Sequence, residues 1–181
     1  ITDSVIGEHL AGNDEASDYL SMALHPQFGD GKKDFIYVYR TNTVEIERYQ
    51  VFFEPFRMSA GQSVFQAKGD VVDPSSSGGD LVWWDGEVGE PVLYMSTGLD
   101  GASVAEDPTS PSTIGYCQND EWTTCAILAL QESGNGALVP GVWDTPYANP
   151  VVVAKGLRQP WRMANCGEGL CLVDLAGDVL I

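Results

Sequence analysis

The amino-acid sequence predicts an all-β fold. Short apolar runs recur about every ten to fifteen residues, and turns rich in Gly, Pro, Asn and Asp separate them. Hardly any stretch has the 3.6-residue periodicity of an amphipathic helix. This pattern is typical of a β-sandwich, a β-barrel or a β-propeller, and it does not choose among the three.

The predicted strands begin at residue 19. Residues 1–17 are small, polar and acidic, and they are predicted to be an initial strand or a tether. Apolar residues in strand-like patterns predict strands at Tyr19–Leu24, Phe35–Arg40, Val44–Phe53, Val64–Ala67, Leu81–Trp84, Val92–Met95, Val151–Ala154 and Leu170–Leu175. The second of these is apolar on both faces, which indicates an internal strand, whereas the third is half polar, which indicates an outer strand.

Two stretches lack a clear strand pattern. Residues 102–124 are polar, contain two prolines near their start and are predicted to be a loop insertion. The stretch Asn119–Gln131 fits two structures: Asn119 suits a helix N-cap with two acidic residues in the first turn, while Ala126–Gln131 also suits a strand.

Composition and charge exclude some classes of function. The chain has 181 residues and is 44% hydrophobic, which is enough for one domain with a core. It carries 9 Lys+Arg against 26 Asp+Glu, a net charge of −17. Because phosphate binding needs a basic surface, this charge argues against nucleic acid or an anionic membrane as partner. It suits high solubility, divalent cations or a basic partner.

The sequence has no apolar stretch of the roughly 20 residues that span a bilayer. It begins at Ile1, without a methionine or a signal-like apolar segment. We therefore expect a mature or trimmed product.

The four cysteines form two close pairs in sequence, Cys117 with Cys125 and Cys166 with Cys171. Each pair brackets a polar, loop-like segment, so two local disulfides and an oxidising compartment are the simplest interpretation. A zinc site of four thiolates is the alternative, although zinc ribbons use tighter spacings than that of the first pair. Four cysteines permit three pairings, and the sequence alone does not choose among them.

The stretch from Asp73 to Gly101 organises the chain and is where we expect a site. It has a Ser- and Gly-rich turn, an apolar run, a second turn, a second apolar run and a further glycine turn. Glycines let the backbone come close to a bound group, and Asp80 and Asp100 lie where loops meet strands.

At these residues the chain resembles the glucose/sorbosone dehydrogenase family of quinoprotein β-propellers, which also includes the hedgehog-interacting-protein-like propellers. That family carries a His-x-Gly-Gly-Asp-Leu segment and then a Leu-Tyr-x-Ser-Thr-Gly-Asp-Gly-Gly-like segment. The matching segments here are Ser76–Leu81 and Leu93–Gly101. Met22–Phe28 upstream and Gly156–Arg162 downstream resemble two further family segments, in the family's order.

The resemblance implies a propeller of antiparallel four-stranded blades. Blades take about 40 to 50 residues, so this chain supplies about four, whereas the resembled family closes a six-bladed ring. We therefore expect a partial β-propeller domain over residues 1–181. Either the remaining blades of a longer chain or a partner protein would complete it.

The resemblance also implies a chemistry, in which the family's histidine takes a sugar hydroxyl proton while hydride passes to pyrroloquinoline quinone. Ser76 stands in place of that histidine. A serine without an adjacent base does not accept a proton near neutral pH, so most of the general-base rate should be lost. His25 belongs to a His-Pro-x-Phe turn that is structural in the family, and His9 lies in the sparse N-terminal segment.

Three further residues match family positions near the quinone or the histidine. Asp100 matches the aspartate that supports the histidine, with Leu99 inserted before it, and its alternative role is a turn residue. Arg158 matches the arginine that reaches quinone or substrate, and Gln159 stands where asparagine is usual.

Basic residues are concentrated near that arginine. Lys155, Arg158 and Arg162 are three of only nine in the chain, which suits either an anion-facing cleft or internal salt bridges. Calcium is implied by the family, but the sequence identifies no metal ligand.

The sequence therefore predicts a secreted, lumenal or, in a bacterium, periplasmic propeller that has lost its catalytic base and serves as a binding or structural component, with a sugar as a candidate ligand. The alternative is an active quinone-dependent sugar or aldose dehydrogenase whose base comes from elsewhere. Fold is inherited more readily than chemistry, and Ser76 favours the first interpretation.

Overall fold

The computed structural model describes residues 19–40, 43–66, 79–84, 91–98, 125–132, 138–140, 152–157, 160–167 and 169–174. In these ranges the regular structure is all β. The strands are β1 (Tyr19–Leu24), β2 (Phe35–Arg40), β3 (Glu45–Phe53), β4 (Phe56–Met58), β5 (Gln62–Gln66), β6 (Leu81–Trp84), β7 (Val92–Thr97), β8 (Ala126–Glu132), β9 (Leu138–Pro140), β10 (Val152–Lys155), β11 (Pro160–Asn165) and β12 (Leu170–Asp174). The predicted N-terminal segment 1–17 and insertion 102–124 lie outside the described ranges.

The strands form three antiparallel sheets. Sheet 1 has the order β1-β2-β3-β4, with β5 also paired to β3; sheet 2 has the order β10-β8-β7-β6, with β9 also paired to β8; sheet 3 is the pair β11-β12. The first two sheets each contain a four-stranded path in chain order, β1-β2-β3-β5 and β6-β7-β8-β10. Such a meander is the arrangement predicted for a propeller blade.

The central strands of sheet 2, β7 and β8, are buried on both faces because they are apolar at odd and even positions alike. In β7, Leu93 and Met95 enter a core shared with sheet 1, while Val92 and Tyr94 enter a second core shared with sheet 3. Every residue of β7 is buried. The three sheets are therefore packed in succession, with sheet 2 in the middle.

The outer face of sheet 1, turned away from sheet 2, is also apolar. Ile36, Val38, Tyr49 and Val51 form a buried cluster there. Met22 and Leu24 of β1 pair with Val38 and Ile36 and so share their face, but they are 53% and 49% exposed. Phe53, on the same face of β3, is 49% exposed. We call Met22, Leu24 and Phe53 the open face of sheet 1.

The structure corrects the prediction that Val44–Phe53 is an outer strand. The strand β3 is internal, with β2 on one side and β4 and β5 on the other. Its polar positions arise because Glu45 and Glu47 form ion pairs with Arg40, at 3.2 and 3.0 Å. The apolar residues of this strand serve both faces: Ile46 packs toward sheet 2, whereas Tyr49 packs on the outer face.

The strand alternative for Asn119–Gln131, which the family resemblance favours, is confirmed at β8, whereas β11 is not among the predicted strands. The ambiguous segment is a strand over Ala126–Glu132, and five of its residues are buried. The sequence predicts only a connection between Arg158 and Gly169, but this region contains β11. A register shift between Pro160 and Arg162 interrupts the alternation of inward- and outward-facing side chains in β11. The strand is therefore not evident from the sequence pattern.

The predicted pairing of Cys166 with Cys171 is confirmed, and the disulfide links the neighbouring ends of β11 and β12. Cys125 is also disulfide-bonded, and its predicted partner, Cys117, lies outside the described ranges. Among the described cysteines none is free, which excludes the zinc alternative for these thiols.

Candidate functional site

The four residues that the sequence assigns to the site lie outside the described ranges: Ser76, Asp100, Arg158 and Gln159. The described residues closest to them in sequence are Gly79, Gly98, Leu157 and Pro160. These four residues mark where each site-bearing segment leaves the sheets, and all four are buried.

Two of these four residues, Gly79 and Pro160, meet at the carbonyl of Pro160. The Gly79 amide donates a hydrogen bond to this oxygen at 3.4 Å, and the buried Ser96 hydroxyl donates one at 3.2 Å. Gly79 has φ of 143°, a conformation that side-chain-bearing residues rarely adopt. The segment that contains Ser76 therefore ends next to the strand that follows Arg158 and Gln159.

The other two residues, Gly98 and Leu157, are both bonded to Cys125, which immediately precedes β8. Its amide donates a hydrogen bond to the Gly98 carbonyl at 3.1 Å, and its carbonyl accepts one from the Leu157 amide at 3.2 Å. Cys125 has φ of 56°, in the left-handed region that is uncommon outside glycine. Gly98 and Leu157, the described residues that precede Asp100 and Arg158 in sequence, are thus bonded to the same residue at one end of sheet 2.

Asp80 joins all three sheets at this end. One carboxylate oxygen, Oδ1, accepts hydrogen bonds from the Ser21 hydroxyl of β1 at 2.6 Å and from the Leu81 amide of β6 at 3.0 Å. The other oxygen, Oδ2, accepts one from the Met163 amide of β11 at 2.7 Å. Asp80 is 7% exposed, and such a buried carboxylate is stable because hydrogen-bond donors surround it.

The backbone of Asp80 is held as firmly as its side chain. Its amide donates to the Ser96 hydroxyl at 2.9 Å, and its carbonyl accepts from the Ser96 amide at 3.0 Å. The sequence predicts for Asp80 only a position where a loop meets a strand. Its links to β1 and β11 depend on residues 59 and 83 positions away in sequence.

Arg162 is the described basic residue nearest this junction. Its Nη1 atom lies 3.6 Å from Asp80 Oδ1, and its guanidinium carbon lies 5.9 Å from the centre of the Trp161 ring. The side chain is 56% exposed. Among the described residues, the predicted internal salt bridge of Arg162 is this one long contact with Asp80, and more than half of the Arg162 side chain is exposed.

His25 does not belong to this end of the sheets. It is 2% exposed, its Nδ1 accepts a hydrogen bond from the Gln27 amide at 3.0 Å, and its ring lies 5.1 Å from the Trp83 ring. Its Nε2 lies 3.7 Å from Glu132, at the end of β8 opposite Cys125. The structural interpretation of His25 fits this environment, since both ring nitrogens face protein groups.

Among the described residues no group of three or more His, Cys, Asp or Glu side chains is placed to hold a metal ion. Where the chain is described, no helix is long and apolar enough to cross a membrane.

The chain resembles two solved structures in fold. The PQQ-bound form of aldose sugar dehydrogenase from Streptomyces coelicolor is 20% identical, with a TM-score of 0.67 over 92% of this chain and 45% of that chain. The putative oxidoreductase (glucose dehydrogenase) from Thermus thermophilus is 21% identical, with a TM-score of 0.62 over 88% of this chain and 45% of that chain. No protein-family model and no curated protein sequence matches the chain.

This likeness confirms the predicted fold class, and it agrees with the family resemblance of the four sequence segments. The chain spans less than half the length of the two structures that it matches. Within the described ranges it supplies two four-stranded sheets, each with one additional strand, and one two-stranded sheet; the prediction of about four blades stays a prediction.

Proposed function

We propose that this chain is part of a glucose/sorbosone dehydrogenase-like β-propeller that has lost the catalytic base and acts as a binding or structural component. The observation that supports this most is the convergence of Gly79, Gly98, Leu157 and Pro160 at one end of the sheets. The segments that adjoin these residues in sequence contain the four residues that match the family's functional positions.

Loss of the base follows from Ser76. A serine hydroxyl takes a proton only when a base stands beside it, and general-base catalysis contributes typically about 10²-fold or more. The described histidine cannot replace it, since His25 is buried beside Glu132 and Gln27. The alternative, an active quinone-dependent sugar dehydrogenase, therefore needs a base outside the described residues.

The ligand implied by the resemblance is pyrroloquinoline quinone, with calcium as the family's metal. When bound, the quinone would supply the acceptor for the two electrons that a sugar loses on oxidation. The exposed Arg162 guanidinium at the junction of the sheets fits an anionic group such as a quinone carboxylate. Arg158 and Gln159 are the other proposed contacts to the quinone, while Asp100 is proposed to support position 76.

The proposed partner is whatever covers the open face of sheet 1. Met22, Leu24 and Phe53 expose large apolar side chains beside a buried cluster, as expected where a further blade packs. The fold comparisons favour remaining blades of a longer chain or a protein partner, because the chain covers only 45% of each matched structure.

The proposed location is extracellular, organelle-lumenal or periplasmic. Disulfides at Cys166–Cys171 and at Cys125 support an oxidising compartment, since reducing compartments keep such thiols free.

The test is an assay of the native protein with pyrroloquinoline quinone, calcium and an artificial dye acceptor. We expect no dye reduction with glucose or other aldoses, even where absorbance titration shows that the quinone is bound. Robust turnover by the native protein would overturn the proposal and favour the dehydrogenase.

A further inference from the structure

We propose that Arg162 is an anion-contacting residue of the candidate site and that Asp80 is the positioning residue that holds its guanidinium there. This inference rests on the proposed function, because it assigns a ligand class, a polycarboxylate such as a quinone acid, to that same site.

The position of Arg162 is fixed by its neighbours in β11. Pro160, two residues before it, receives the hydrogen bond from Gly79, and Met163, one residue after it, donates to Asp80 Oδ2. The backbone on either side of Arg162 is therefore bonded to the segment that follows Ser76. A shift of this strand would break both bonds.

The guanidinium itself lies where the three sheets meet. Asp80 Oδ1, which is 3.6 Å from Arg162 Nη1, also accepts the Ser21 hydroxyl of β1. The first strands of the three sheets, β1, β6 and β11, thus meet within hydrogen-bond reach of one carboxylate. The Arg162 side chain is 56% exposed at this junction, so a ligand can reach its guanidinium from solvent.

Charge favours an anion at Arg162 despite the adjacent carboxylate. Asp80 already accepts three shorter hydrogen bonds, from Ser21, Leu81 and Met163, which satisfy much of its charge. The contact to Arg162 is longer than any of them, and the Arg162 side chain is 56% exposed while Asp80 is buried. Arg162 therefore has N–H donors left for a carboxylate, and the guanidinium geometry suits two parallel bonds to one.

Asp80 restricts where the guanidinium can go. An exposed arginine normally has many rotamers, and fixing it on binding opposes the association through lost side-chain entropy. A buried carboxylate beside it, together with the Trp161 ring, reduces that loss before the ligand arrives. Asp80 acts in this way through Arg162 and needs no ligand contact of its own.

The experiment measures the affinity of the native protein for pyrroloquinoline quinone by equilibrium titration at low and high salt. We expect Arg162→Gln to weaken binding about tenfold and to flatten the salt dependence, because one charge-assisted contact is lost. Arg57→Gln is the matched control, since Arg57 is exposed on β4 and lies over Phe52. We expect the Arg57→Gln variant to bind the quinone with the same affinity as the wild type.

A double-mutant cycle tests the role of Asp80. If Asp80 acts through Arg162, Asp80→Asn weakens binding in the wild-type background but has little further effect in the Arg162→Gln background. A purely structural role would weaken binding equally in both. Arg162→Gln changes a surface side chain and leaves the fold intact, so the first arm remains decisive even if Asp80→Asn fails to fold.

Failure of this inference and failure of the proposed function give different experimental results. Equal quinone affinity of wild type and Arg162→Gln would overturn this inference and leave the proposed function standing. Absence of quinone binding by the wild type would overturn the quinone part of the proposed function, and this inference with it.

Discussion

The Glu132 carboxylate of β8 lies 2.7 Å from the Lys33 ammonium group, which belongs to the loop between β1 and β2. Its other oxygen is 3.3 Å from Arg48 Nη1 and 3.2 Å from the Tyr37 hydroxyl. Glu132 comes from sheet 2, and the other three residues come from the part of the chain that forms sheet 1. One largely buried carboxylate, 12% exposed, therefore links the two sheets at the end opposite the candidate site.

We predict that Glu132→Gln destabilises the protein by about 2 to 4 kcal/mol, because it removes the negative charge that the Lys33 ammonium and the Arg48 guanidinium both face in a largely buried position. Glu54→Gln is the matched control, since Glu54 is exposed and should change stability by less than about 0.5 kcal/mol. Urea unfolding of the native protein measures both. Equal effects of the two substitutions would contradict a role for Glu132 in joining the sheets.

A second prediction concerns alkaline pH. Burial raises the pKa of Tyr37 and Tyr39 above the usual tyrosine value, and the nearby Glu132 charge adds to the shift at Tyr37. A raised folded-state pKa means that the stability contribution is complete below about pH 10 and is lost as the pH rises further. The folded protein should therefore lose stability above about pH 10.

The measurement is the unfolding free energy at two pH values, one below and one above the ordinary tyrosine pKa of about 10, with tyrosinate followed by its absorbance. Tyr39→Phe removes one of these ionisations and should reduce the alkaline loss of stability. If the free energy of unfolding falls equally at alkaline pH in Tyr39→Phe and in the wild type, ionisation of Tyr39 does not cause the loss of stability.

A third prediction is that Cys125 is bonded to Cys117. Cys125 is disulfide-bonded, while Cys166 and Cys171 are bonded to each other. Mass mapping of non-reduced peptides should find a peptide pair that contains residues 117 and 125. A crossed pairing, or alkylation of four free thiols without reduction, would refute it.

A fourth prediction is that the 181-residue chain expressed alone is prone to aggregate. The open face of sheet 1 exposes Met22 and Leu24 on an edge strand, where another apolar face or strand can associate. Replacing both by lysine should shift the chain toward monomer in size-exclusion chromatography.

The control for that shift is Gln27→Lys, which adds positive charge at an exposed polar position nearby. It should leave the association unchanged, because the apolar surface remains. A monodisperse wild-type chain that melts cooperatively would instead indicate a complete fold without need of further blades.

The sequence predicts most strands well because their residues are apolar in short, regular runs. Leu81–Trp84 and Phe35–Arg40 have the predicted bounds. It does not reveal β11, since a register shift after Pro160 interrupts the alternation, and it misjudges β3, whose polar positions are ion-paired within a central strand. Local sequence patterns indicate which residues are buried. They do not indicate which strands lie next to one another in a sheet.

The candidate site is predictable only as a set of segments. The sequence indicates Ser76, Asp100, Arg158 and Gln159 through motifs, and these residues remain predictions. It does not indicate that Asp80 binds Ser21 and Met163, because those contacts join three sheets across long separations. The available signal in the sequence is an acidic residue immediately before an apolar strand, because a carboxylate that becomes buried there requires nearby hydrogen-bond donors.

The last prediction concerns the residue that separates the two proposed functions. Replacing Ser76 by histidine restores the residue type that the resembled dehydrogenases use as general base. An imidazole with a pKa near about 6.5 accepts a proton near neutral pH, whereas a serine hydroxyl does not.

We expect Ser76→His to raise quinone-dependent sugar oxidation above the wild-type background only if Asp100 orients the ring, and the inserted Leu99 bears on that alignment. The double variant Ser76→His with Asp100→Asn is the control, because it keeps the imidazole and removes the orienting carboxylate. Dye reduction with glucose, measured with quinone and calcium present, should then rise in the single variant and fall back in the double variant. Equal activity of the two variants would remove Asp100 from the proposed site, and strong wild-type activity would place the base at a residue other than position 76.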